Sequence, residues 1–288
     1  MDIIKQIAEE LQIKTSQAET AVRLIDEGNT IPFIARYRKE ATGALNDEVL
    51  RNLYERLNYL RNLEEKKEQV LASIEEQGKL TEELKQQIEK AQTLVVVDDL
   101  YRPYRPKRRT RAIIAKEKGL EPLANLILLQ QVTHPIEEEA KAYLNEEKEV
   151  HTVEEAIAGA KDIIAEHISD EATYRMHIRK QTEKEGMLLS EAKDENTESV
   201  YEMYYHFEEP VQKLAGHRIL ALNRGEKEKI LTVKVQAPKD RILSYLEKKV
   251  IVAQNSYTTP ILREAIEDSY QRPVSYTHLR AHETRGNL

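Results

Sequence analysis

The chain has 288 residues, 33% charged and 40% hydrophobic, with a formal net charge of -7; this balance suits folded material of about two domains and excludes global disorder. It holds no cysteine, no tryptophan and only two phenylalanines, which rules out a disulfide scaffold, a thiolate metal site and a cysteine nucleophile, and leaves burial to Leu, Ile, Val and Ala on amphipathic elements. The start, MDIIKQIAEELQIKT, carries acids and lacks the order of a signal peptide, and no apolar run approaches the roughly 18 residues of a membrane span, so a cytoplasmic protein without membrane contact is expected.

In chain order, the helical period dominates. Ile3, Ile4, Ile7 and Leu11 form one stripe, and a second helix is expected from Ser16, with Glu19 completing a capping box and Gly28 ending it. From Asp47 to Gln77 there is neither Gly nor Pro. Leu50, Leu53, Leu57, Leu60, Leu63, Val70, Leu71 and Ile74 keep a spacing of mostly three and four, which predicts one helix of about 46 Å. Thr81 to Ala91 reads as a shorter helix. Pro103 and Pro106 each fix φ and push the preceding residue out of the helical region, so the stretch after Leu100 is expected to run extended. Thr110 caps a short helix through Lys118, Gly119 ends it, and Pro122 opens the next helix over 123–130; helix, glycine turn, helix is the outline of a helix-turn-helix unit.

Thr152 and Glu155 form a further capping box, with Ala156, Ile157, Ala160, Ile163 and Ile164 as the buried face. Helices are then expected to continue to about Arg224. Ile230 to Gln236 alternates as a strand, with Val250 to Ala253 as its nearest candidate partner after a helix from Lys239 to Lys249.

Neither a GxxxxGK[ST] nor a GxGxxG loop is present, so no standard phosphate cradle supports a nucleotide enzyme. Asp98 with Asp99, and Glu208 with Glu209 beside His206, are adjacent pairs that do not face a common point on a helix. His278 and His282 have the spacing of a helical metal pair but lie in the tail PVSYTHLRAHETRGNL, which has no apolar periodicity. No catalytic residue, cofactor or metal is expected.

The basic residues carry the functional lead. Eight cations and one acid fall between Arg102 and Lys118 in an otherwise acidic chain. Two segments interleave cations with tyrosine: Arg36, Tyr37, Arg38 and Lys39 in one, and Tyr101, Arg102, Tyr104, Arg105, Lys107, Arg108, Arg109 and Arg111 in the other. Arginine forks bind phosphate and tyrosine rings stack on bases, so Arg36, Arg38, Lys39, Arg102, Arg105, Lys107, Arg108, Arg109 and Arg111 are the candidate nucleic-acid contacts. Pairing of the same cations with the chain's own 51 acids is an equally weighted alternative.

The segments GNTIPFIARYRKEATGALNDEVLRNLYERLNYLRNLEEKKEQVLASIEEQGKLT and DLYRPYRPKRRTRAIIAKEKGLEPLA, followed by EEAIAGAKDIIAEHISD and SVYEMYYHFEEPVQKLAGHRILALNRGEKEKIL, resemble the N-terminal region of the bacterial Tex family of transcription accessory proteins, from near residue 1 to about Arg272. The resemblance implies a helical module with helix-turn-helix character, related to the core of a eukaryotic transcription elongation factor. It also implies that a complete member continues into a ribonuclease-H-like domain, helix-hairpin-helix units and an OB-fold RNA-binding domain, and it transfers no catalytic residue. The tail after about Arg272 departs from the family and reads as foreign sequence.

The expected fold class is therefore mainly α, a multi-helix module with one long helix and a small αβ element near residues 230–253. The expected divisions are a helical domain over 1–190, a helical continuation with a short strand over 191–272, and the tail over 273–288. The expected role is a truncated, non-catalytic, nucleic-acid-binding scaffold that assists transcription, with RNA or DNA and the transcription machinery as partners. The alternative is a protein-interaction scaffold that contacts that machinery without touching nucleic acid.

Overall fold

The computed structural model describes residues 2–106 and 109–272. The tail, with His278 and His282, lies outside the described residues, as do Lys107 and Arg108. The chain divides into two units, residues 2–101 and 102–272. The fold is mainly α with one small sheet, as the sequence predicts. Among the described residues no helix is long and apolar enough to cross a membrane.

The first unit contains α1 (Ile3–Glu10), α2 (Thr15–Asp26), α3 (Ile31–Tyr37), α4 (Asp47–Glu76), α5 (Glu82–Lys90) and α6 (Leu94–Tyr101). Its axis is α4, 30 residues long and about 45 Å by helical rise. Asn46 Oδ1 accepts from Val49 N at 2.8 Å, and Asp47 and Glu48 place negative charge at the positive end of the helix. Leu50, Leu53, Leu57, Leu60, Leu63, Val70 and Ile74 are all buried, and α1, α2, α3, α5 and α6 pack along this helix or on one another. Lys67 lies on the same buried stripe, its Nζ held by Glu64 Oε1 at 2.8 Å and the Glu89 carbonyl at 2.9 Å, which satisfies a charge that would otherwise be costly there. The capping box expected at Ser16 and Glu19 does not form. The helix begins one residue earlier, and Gln17 Oε1 instead accepts from Lys14 N at 3.0 Å.

The second unit contains α7 (Arg111–Glu117), α8 (Glu121–Leu129), α9 (Ile136–Ala140), α10 (Val153–Asp170), α11 (Ala172–Glu185), β1 (Met187–Ala192), β2 (His206–Pro210), α12 (Gly216–Lys227), β3 (Leu231–Gln236), α13 (Lys239–Val250) and α14 (Thr259–Gln271). Both halves of the α10 capping box are present. The buried faces of α10, α7, α8, α13 and α14 form one apolar core. A Cβ on Gly159 of α10 would collide with the side chain of Leu120 in the α7–α8 turn, so the glycine allows the close approach of that turn to α10.

Two expectations need correction here. The helices do not continue to Arg224: β1 and β2 interrupt them, and β3 pairs with β1 rather than with the segment after α13. The sheet runs β2-β1-β3, antiparallel throughout, with Leu188 opposite Glu209 and Val235. Val250 ends α13, and the backbone that follows is held by a side chain instead of a strand. Gln130 Nε2 donates to the Val250 carbonyl at 2.8 Å, while its Oε1 accepts from Val252 N at 3.0 Å and Ala253 N at 3.1 Å. One amide thus occupies the backbone groups that a ladder would have used. The sheet contributes to a second apolar cluster, formed by Leu188, Tyr201, Tyr204, Tyr205, Val211, Leu214, Leu222 and Leu231.

Candidate nucleic-acid interface

In the first unit the candidate cations stand at the end of α3 and in the turn beyond it. Thr30 precedes the helix and Pro32 lies in its first turn, where proline's fixed φ favours helix entry. Ile34 is fully buried, which leaves Phe33, Arg36 and Tyr37 facing outward. The chain then turns through 38–44. Buried Thr42 returns its backbone N to the Arg38 carbonyl at 3.1 Å, and its hydroxyl reaches the Arg38 carbonyl at 3.2 Å and the Lys39 carbonyl at 3.3 Å. Gln17 Nε2 reaches the Thr42 carbonyl at 3.2 Å and the Gly43 carbonyl at 3.0 Å. Gly43 has φ +63° and a Cβ there would lie 2.7 Å from Gln17 Nε2, so this anchor requires glycine. The turn is therefore fixed from below by Gln17 and Thr42 and presents its cations outward.

Arg36, Arg38 and Lys39 are all exposed, and among the described residues none of the three has an ion pair with a carboxylate. Phe33 and Tyr37, one helical turn apart, bring their ring centroids to 5.2 Å at 44°. The Arg38 guanidinium lies 5.5 Å from the centre of the Phe33 ring, a cation–π distance. The sequence pattern marks the cations and Tyr37 but not Phe33, whose i, i+4 spacing to Tyr37 is the signal for it.

In the second unit the start of the basic run, 102–105, forms a turn and is not extended. Arg105 N reaches back to the Arg102 carbonyl at 3.4 Å, because Pro103 fits the second position of a turn as readily as an extended strand. Most of its described cations are engaged within the unit. Arg102 Nε donates to Asp170 at 2.9 Å, and Arg109 pairs with Glu117 at 3.0 Å. Arg111 reaches Asp162 at 3.3 Å and Asp268 at 3.2 Å. Arg272 holds the same two carboxylates at 2.8 Å and 2.6 Å. Burial pushes the Asp268 carboxyl up, but the hydrogen bonds and charges of Arg272 and Arg111 outweigh it and hold the group below its ordinary value. Lys116 pairs with Glu121 at 3.2 Å, and Lys118 donates to the Glu149 carbonyl at 2.7 Å. Arg105 is exposed and, among the described residues, has no ion-pair partner.

The helix-turn-helix outline is present, with Gly119 at φ +81° in the turn. Its second helix, α8, carries no cation and turns Leu123, Ala124 and Ile127 into the core. The carboxylates singled out as weak acid–base candidates are held elsewhere: Asp98 by Lys66 at 3.6 Å and Glu209 by Arg218 at 2.7 Å. Among the described residues no group of three His, Asp or Glu could hold a metal ion.

Residues 1–75 match the family model of the Tex-like protein N-terminal domain, and residues 131–272 match the Tex central region-like model. The chain is 50% identical over 273 residues to the protein YdcI of Bacillus subtilis, covering 94% of this chain and 38% of that protein. It is 46% identical over 235 residues to the protein tex of Bordetella pertussis, covering 81% of this chain and 30% of that one. It is 42% identical over 259 residues to the transcriptional accessory protein Tex of Neisseria gonorrhoeae, covering 88% and 34%. The chain thus spans roughly a third of the length of these relatives. With two successive regions of one family matched in order, and with relatives that carry the family's name aligned over most of its residues, the chain belongs to the Tex family.

Proposed function

We propose that this chain is a non-catalytic helical scaffold of a cytoplasmic transcription accessory protein, and that it holds the phosphate backbone of nucleic acid on exposed cations. The observation that carries this reading is the trio Arg36, Arg38 and Lys39: exposed, free of carboxylate partners among the described residues, and set on a turn anchored by Thr42 and Gln17. In a chain with 51 acids and 44 Lys and Arg, three clustered cations without a carboxylate partner among the described residues keep their charge for an outside anion. Exposed Arg105 and Arg109 add contacts in the second unit, since a surface pair such as Arg109 with Glu117 is worth about 1 kcal/mol or less and yields readily to a phosphate. Lys107 and Arg108 are proposed with them. The names of the relatives support the transcription role.

The competing reading is a scaffold whose cations bind an acidic protein surface. A salt titration separates the two. Three phosphate contacts on a single strand give a log K against log salt slope of about -2, or about a 20-fold loss of affinity between 50 and 200 mM salt. Labelled RNA and DNA oligonucleotides should show a slope at least that steep on the 288-residue chain, because contacts from Arg105, Lys107, Arg108 and Arg109 add to it. No salt-dependent binding to any of them, with retention of an acidic polypeptide, overturns the nucleic-acid reading.

A further inference from the structure

Phosphate contacts alone do not distinguish a duplex from a single strand, but the rings beside the cations do. Tyr37 is 67% exposed and Phe33 is 37% exposed, in a chain with only two phenylalanines to place. Phe33 is braced on one side by Arg38 and on another by Tyr37, so it acts as the support and Tyr37 as the outer plate. We propose that the end of α3 is a single-strand subsite in which an unpaired base stacks on Tyr37 while Arg36, Arg38 and Lys39 hold the flanking phosphates; this rests on the phosphate-binding reading above and names its substrate class.

Three physical arguments favour a single strand over other occupants. The Arg38 guanidinium lies 5.5 Å from the centre of the Phe33 ring, which Tyr37 approaches at 5.2 Å, so a cation stands beside the exposed ring pair as a phosphate stands beside each base of a strand. The ring is aromatic and exposed, and every base has a π-face that a duplex keeps inside its stack. The turn carrying Arg38 and Lys39 is pre-organised by Thr42, Gln17 and Gly43, so little ordering cost falls on binding. Glu40 follows directly and is exposed; three cations against one acid still leave the patch positive. An acidic peptide could pair with the cations, but its carboxylates offer no aromatic face to stack on the Tyr37 ring.

The test uses the 288-residue chain with a 12-nucleotide oligothymidine, the same oligonucleotide annealed to its complement, and a version carrying one 2-aminopurine. Tyr37→Leu should weaken the single strand at least about fivefold and leave the salt slope and the duplex affinity unchanged. Tyr37→Phe should restore binding, and 2-aminopurine fluorescence should be quenched by the parent chain and by Tyr37→Phe but not by Tyr37→Leu. Single-strand affinity insensitive to Tyr37→Leu, with the salt slope intact, overturns the stacking proposal alone. Equal losses for single strand and duplex overturn it too. Salt-dependent binding absent from both forms removes the phosphate reading and this proposal together, and an octaglutamate peptide whose binding does respond to Tyr37→Leu assigns the patch to a protein partner.

Discussion

Arg102 Nε donates to Asp170 Oδ1 at 2.9 Å, joining the start of the basic run to the last residue of α10, whose side chain is only 9% exposed. This arginine belongs to the fold. Withdrawing a charge-assisted partner from a nearly buried carboxylate is costly even where the arginine is itself a third exposed. Arg102→Gln is expected to cost about 2 kcal/mol, a fall in Tm of about 4–8 °C for a unit of this size. Arg109→Gln, whose pair with Glu117 is exposed on both sides, should stay within about 1 °C by thermal unfolding followed by circular dichroism.

The sequence exposed the frame of the molecule where one period ran unbroken. The stripe from Leu50 to Ile74 and the Thr152–Glu155 box were legible because local propensity and burial agree there. The sheet was not legible. Met187–Ala192 reads MLLSEA, with no β-branched residue, and His206–Pro210 reads HFEEP, with two acids; both become strands because β1 pairs with β3, β2 pairs with β1, and the apolar cluster packs against them. For the candidate site, residue types were readable and partners were not. Nothing in the order of residues tells Arg36, which among the described residues has no carboxylate partner, from Arg111, which meets one acid about fifty residues on and another beyond 150.

The Gln130 amide offers a second check on the architecture. Gln130 is buried, has φ +56° and supports three backbone groups of 250–253. Gln130→Gly deletes the amide in a residue that accepts the left-handed backbone, so a loss of stability does not come from backbone strain. A loss of about 2 kcal/mol is expected from urea unfolding, with an unchanged m-value. A neutral result would mean that water replaces the amide without penalty.

Acid should weaken the first unit through two bidentate pairs. Hydrogen bonds from Arg56 outweigh burial and hold the Glu10 carboxyl below its ordinary value; Arg61 does the same for Asp26. A carboxylate depressed by folding adds stability at neutral pH, and that contribution is lost as pH falls below the ordinary carboxylate range and through the folded value. Arg56→Gln with Arg61→Gln should therefore lower stability at pH 7 and converge with the parent chain in acid. Parallel stability curves from pH 7 to pH 2.5 would contradict the assignment.

The most direct measurement compares the salt dependence of single-stranded RNA binding for the parent chain, for Arg36→Gln/Arg38→Gln/Lys39→Gln and for Arg102→Gln. The triple variant should keep the parent Tm and flatten the log K against log salt slope by about 2 units, weakening all sequences alike. Arg102→Gln should lower Tm and leave the slope where it was. An unchanged slope in the triple variant beside a flattened one in Arg102→Gln would contradict the account, because the nucleic acid would then be held by the cation that the fold has already paired with Asp170.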